Sequence, residues 1–315
     1  MMDEIAPIRQ PMHRWALALL FLIISTPQIL QAGDWAVDTS LGISEGGTWR
    51  SHLLVERLLG ESSHIYTGLG QTRVDSDDLA LDTRSLSLGG GHRLNENVSL
   101  GSWYERWGRS GDISSDSLNG RLSWRPGPYR LSLVPGFRWV TLHAGAPAAG
   151  PNGQGGGPPD HVDLPPVREG SDGEELAEDF DLLSRSLGLR FGRELGEDWR
   201  LRVSATWYDY DKDAATLATR EGVENLSLSA LTLAQGFSEH RYGLGVSWSF
   251  DEWRELGLDL GRDKSAVDGL YSDTLSLRYL TPVGRQWDME LELGAARTEG
   301  FGRSWFSGVH LSWYP

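Results

Sequence analysis

Between Ser184 and Tyr210 apolar and polar positions alternate one for one. Leu187, Leu189 and Phe191 alternate with Ser186, Gly188, Arg190 and Gly192. After the turn Leu195-Gly196-Glu197-Asp198, Trp199, Leu201, Val203, Ala205 and Trp207 alternate with Arg200, Arg202, Ser204, Thr206 and Tyr208. Successive side chains of a strand point to opposite faces, so this passage predicts a β-hairpin with one apolar face and one arginine-bearing face.

The same pattern recurs along the chain. Trp35, Val37, Leu41 and Ile43 oppose Asp38, Ser40 and Gly42, and Leu53 and Val55 oppose His52 and Glu56. Leu118, Leu122 and Trp124 oppose Asn119, Arg121 and Ser123, while Tyr129, Leu131, Leu133, Phe137 and Trp139 oppose Arg130, Ser132, Gly136 and Arg138. Leu256, Leu258 and Leu260 oppose Glu255, Asp259 and Asp263, and Trp287, Met289, Leu291 and Leu293 oppose Asp288, Glu290 and Glu292. Trp305, Val309, Leu311 and Trp313 face away from Gly308, His310 and Ser312. Counting such segments predicts about fourteen strands. Tight turns near Gly60, Asn95, Gly127, Gly196, Glu252 and Gly284 alternate with mostly longer connections. Two stretches break the rhythm and have loop composition: 143–180, Gly/Pro-rich then acidic, and 211–239. If Leu226 to Leu233 were itself a spanning segment, the count would be odd unless another strand around Thr216 joined it, and sixteen is the alternative.

The first 32 residues follow a different rule. Arg9 and Arg14 precede an apolar run from Trp15 to Ile24, and a cleavage site after Leu30-Gln31-Ala32 completes a secretory signal, leaving 33–315 as the mature protein. The 315-residue chain has no cysteine, which excludes a disulfide framework and a lipid-anchored N-terminal Cys. Its formal net charge of −15 argues against nucleic acid as a partner.

No stretch after Gly33 approaches the run of about 20 apolar residues that a membrane helix needs. A sheet can cross a bilayer only when closed on itself, apolar outward and aromatic at both interfaces. Trp or Tyr recurs at strand ends, at Trp35, Trp107, Trp124, Tyr129, Trp139, Trp199, Trp207, Trp248, Trp287, Trp305 and Trp313. These features resemble the outer-membrane β-barrel proteins of Gram-negative bacteria, the porin-like ones included, through architecture and not through a specific motif. The resemblance implies an all-β fold, a single antiparallel up-and-down barrel in the outer membrane, with outer-membrane lipid and the barrel-assembly machinery as partners. Trp313 and Tyr314 are similar to the terminal aromatic signal that this machinery reads, with Pro315 following as a departure.

With the apolar face toward lipid, the other face lines the lumen. Arg121, Arg125, Arg130, Arg138, Arg190, Arg200 and Arg202 fall on the sixth to ninth strands. Asp38, Glu255, Asp259, Asp288, Glu290 and Glu292 fall on the first, eleventh and thirteenth. Closure then sets a basic wall across from an acidic one, the field expected of a passive channel for small polar or charged solutes. The competing reading is an assembly or export barrel that hands a polysaccharide or lipoprotein to the surface, which would call for a periplasmic partner; a homo-oligomer is a further option. Catalysis has little support: H-x-x-x-H does not occur, and His310 beside Ser312 is the least implausible pair. Asp209, Asp211 and Asp213 have calcium-loop spacing without the following Gly and Glu, so neither a metal nor a cofactor is expected.

Overall fold

The computed structural model describes residues 34–45, 47–76, 79–109, 113–142, 180–214, 237–300 and 302–314. The leader at 1–32 and most of both long loops lie outside the described residues. Fourteen strands form one closed antiparallel barrel. They are β1 (Trp35–Ser44), β2 (Thr48–Leu58), β3 (Ser63–Ser76), β4 (Leu79–Arg93), β5 (Val98–Arg109), β6 (Ile113–Trp124) and β7 (Tyr129–Leu142). The second half comprises β8 (Phe180–Leu195), β9 (Trp199–Tyr210), β10 (Ser238–Ser249), β11 (Glu255–Ser265), β12 (Tyr271–Pro282), β13 (Trp287–Thr298) and β14 (Gly302–Trp313). Each strand pairs with its sequence neighbours, and β14 returns to β1 from Val37↔Trp313 to Ser44↔Phe306.

That closure settles the strand number. β9 and β10 are bonded directly, from Trp199↔Trp248 to Trp207↔His240, so the 211–237 connection inserts no strand between them and the sixteen-strand alternative is overturned. Ser238 and Glu239, expected in the loop, begin β10.

The connections depart from strict short–long alternation. The six at one end run three to five residues. At the other end only 143–179 and 211–237 are long, and the remaining five are just as tight. Local chemistry explains how the first set closes. Gly127 and Gly196 adopt φ of 61° and 74°, which a side chain would disfavour. Asn95 Oδ1 accepts from the amides of Asn97 and Val98, each at 2.9 Å. Asp251 Oδ1 accepts from those of Trp253 and Arg254 at 2.9 and 2.8 Å. The Arg254 side chain also donates to Asp251, and this bond holds the Asp251 carboxyl below the ordinary aspartate range. In outer-membrane barrels short turns face the periplasm and long loops the outside. We name the two ends accordingly.

The apolar face points outward all round the barrel. Leu69, Leu88, Leu118, Leu189, Leu258 and Leu293 are exposed, as are Trp124, Trp139, Trp199, Trp207, Trp248 and Trp305. In water such a surface would be an aggregation site; around a closed barrel it is a lipid-facing belt. One aromatic departs from it: Trp107 shares the inward face of β5 with Trp103 and Glu105, where it packs inside the barrel instead of at the interface. Trp313 is buried but keeps the outward parity, in register with Val37 and Trp287. The architecture is a closed, fourteen-stranded antiparallel barrel with an apolar outer surface.

Candidate functional site: the barrel lumen

Strand parity places the lumen side chains. Arg121, Arg130, Arg138, Arg190, Arg200 and Arg202 all lie on the face opposite the lipid-facing residues of β6 to β9. Arg125 lies just past β6 in the turn 125–128, at the periplasmic mouth, its amide donating to Asn97 O at 2.7 Å. Asp38, Glu255, Asp259, Asp288, Glu290 and Glu292 share the inward face on β1, β11 and β13. The same parity adds groups outside the expected set: Glu105 on β5, Arg241 on β10, Asp263 on β11 and Arg278 on β12. Each was legible from its odd or even position once the phase of its strand was known.

The two charged walls are opposed on one side and interlocked on the other. β6 to β8 stand across the ring from β13, β14 and β1. Between β9 and β13, by contrast, acid and base meet. Arg202 Nη2 donates to Asp259 Oδ1 at 3.2 Å, reaching across β10, and Arg278 Nε donates to Asp259 Oδ2 at 2.6 Å. Arg278 Nη1 also donates to Glu290 at 3.2 Å, and Arg200 lies 3.6 Å from Glu255. Arg241 Nε donates to Asp263 Oδ2 at 2.6 Å, and that carboxylate also accepts from Ser238 Oγ at 2.8 Å. A wholly separate basic wall, the expectation from sequence, is therefore restricted to β6 through β8.

Glycine makes this network possible. A Cβ on Gly245 would lie 3.1 Å from Arg202 Nε and run into Asp259, and one on Gly257 would lie 3.1 Å from Arg278 Nη2. The arginines lie flat along the wall over bare backbone. Elsewhere Tyr66 and Trp103 cover Gly89, His64 covers Gly91, and Phe306 covers Gly294. Lumen glycines here accommodate the large side chains of neighbouring strands.

A cavity of about 1320 Å³ occupies the lumen. Its lining includes Glu61, Asn95, Glu96, Arg125 and Pro128 from the periplasmic turns, then Arg121, Arg130, Arg190, Arg200 and Arg202, and it reaches Arg241, Asp263 and Phe306. Beyond it, at the extracellular end, the inward face changes character. Ile113, Val140, Phe180, Leu182, Ala214, Phe237 and Val267 form a cluster, each 7% exposed or less, with Trp107 and Tyr210 packed against it. Ala214 and Phe237 belong to the long β9–β10 connection. The Arg138 guanidinium sits 5.1 Å from the Phe237 ring centroid, and its Nε donates to Ser115 Oγ at 2.8 Å. Tyr210 Oη donates to Ser238 O at 2.8 Å.

Ser312 Oγ donates to Asp38 at 2.5 Å and His310 Nε2 lies 3.4 Å from the same carboxylate, so the serine proton points at an acid and not at an imidazole base. Asp211 Oδ1 accepts from the Leu183 amide at 2.8 Å, and Asp209 sits opposite Arg185 on the outer face. Among the described residues no group of three or more potential ligands is placed to hold a metal ion.

No protein-family model matches the chain, and no curated protein does. Solved structures do. The CymD monoaromatic hydrocarbon channel is similar at 10% identity and a TM-score of 0.49, covering 90% of this chain and 89% of that one. The COG4313 outer membrane channel from Pseudomonas putida F1 gives 12% identity and 0.46, with 90% and 96% covered. The KdgM porin gives 8% and 0.42, with 89% and 99% covered.

Proposed function

We propose that the barrel is a passive channel of the Gram-negative outer membrane for small polar or charged solutes, with residues 1–32 as the removed export signal. The observation that carries this reading is the 1320 Å³ cavity, lined by charge and bounded by residues of the periplasmic turns. A structural cylinder would fill that volume with side chains. Beyond the cavity the inward face carries the apolar cluster, and a dry apolar constriction controls ion flow by wetting and dewetting.

Single-channel recording on the refolded mature protein in planar bilayers tests the proposal. Wild type gives discrete conductance steps. Phe237→Ala, which removes a 1% exposed ring from the cluster, raises the unit conductance or the open fraction. A heat-modifiable, folded barrel that is silent in both forms overturns the channel reading.

A further inference from the structure

The lumen arginines divide into two chemical groups. Arg200, Arg202, Arg241 and Arg278 each have a carboxylate at ion-pair distance. Arg121, Arg130 and Arg190 have none among the described residues, and all three are exposed within the barrel, where they line the cavity. Arg190 stands in register between Ser132 on β7 and Ser204 on β9, with Ser123 beyond Ser132. The Ser123 and Ser132 hydroxyls are 2.9 Å apart. The Arg121 guanidinium lies 5.4 Å from the Trp103 ring centroid, and both residues line the cavity. The charge of Arg121 is felt at Arg190, and those of Arg125 and Arg200 at Arg130, so Arg130 and Arg190 each sit among like charges. Glu194 is the carboxylate whose charge is felt at Arg130, and it makes no ion pair there.

Like charges held together in a partly desolvated wall are unfavourable unless something negative joins them. Guanidinium forks bind carboxylate and phosphate oxygens bidentately, and hydroxyls donate to the remaining lone pairs. We propose that Arg121, Arg130 and Arg190, with Ser123, Ser132 and Ser204, form a binding site for a small solute bearing an oxyanion, a carboxylate or a phosphate. The site lies in the periplasmic half of the lumen, within one turn or a few residues of the β6–β7 and β8–β9 turns. It deepens the channel reading by naming the solute class, yet binding at equilibrium does not require that the barrel conduct.

The test is isothermal titration of the folded, detergent-solubilised mature barrel with inorganic phosphate and, separately, with citrate, at low and at physiological salt. Wild type binds at least one of the two and binds more weakly as salt rises. Arg121→Gln/Arg190→Gln weakens that binding about tenfold or more, the loss of roughly one charge-assisted contact. Arg202→Gln, which leaves Asp259 held by Arg278, changes it less than about threefold, since its charge is already paired. Phosphate alone, citrate alone or both binding identifies the favoured oxyanion. No binding of either probe to wild type, or equal losses in both variants, overturns the site. Binding with a silent bilayer would leave the site standing and remove the channel.

Discussion

The two flanks of the lumen use arginine in opposite ways. On β9 to β12 every inward arginine meets a carboxylate; on β6 to β8, Arg121, Arg130 and Arg190 meet none among the described residues. The side chain is the same, and the difference lies in the neighbours. Around the first group the adjacent strands supply Gly245 and Gly257 as clearance and Asp259, Asp263 and Glu290 as acceptors. Around the second they supply serine and glycine, which neither fill nor neutralise. One flank is a welded brace; the other is a charged surface held open to solute.

Substitutions break or sharpen that contrast in a definite order. Arg278→Met removes the donor shared by Asp259 and Glu290, leaving Asp259 to Arg202 alone and taking from Glu290 its guanidinium partner in a half-buried wall. We expect a loss of about 2 to 3 kcal/mol, read as a lower urea midpoint for the folded barrel in lipid; an unchanged midpoint would show that the brace is idle. Gly245→Val places methyl groups where Arg202 and Asp259 pass and costs about 1 to 3 kcal/mol, while a neutral outcome would mean the pair moves aside freely. Arg190→Gln removes a charge that stabilises nothing and shifts the midpoint by no more than about 0.5 kcal/mol. A large loss there would place Arg190 in an internal network and weaken the oxyanion site.

Much of the fold was legible because lipid imposes a simple rule on strands. Parity alone put the apolar faces of β1, β6, β7, β8, β9, β11 and β13 outward, and β1–β14 pairing agrees with the even count. The rule failed where the lumen itself is apolar. Trp107 was read as interfacial because an aromatic near a strand end is normally lipid-facing. In β5, however, Trp103 and Trp107 share the inward face, while Tyr104 and Arg106 turn outward to meet Leu118 and Asp116. Asp116 accepts a hydrogen bond from Tyr104 there. The charged residues were found on their faces, but which of them pair was not. That depends on the register carrying Arg202 past Gly245 to Asp259, a relation between residues 57 positions apart that no local pattern encodes.

The seam between β1 and β14 has a consequence for how the molecule comes into being. Asp38 and Ser312, joined by a hydrogen bond, are separated by 274 positions, so the ring cannot shut until nearly all strands have been placed. Contacts of such sequence separation carry a high loop-closure entropy and form late. Until then β1 presents an unpaired edge beside an apolar sheet, the combination most prone to aggregation. Closure is therefore the event that converts a sticky, open-edged intermediate into a stable cylinder.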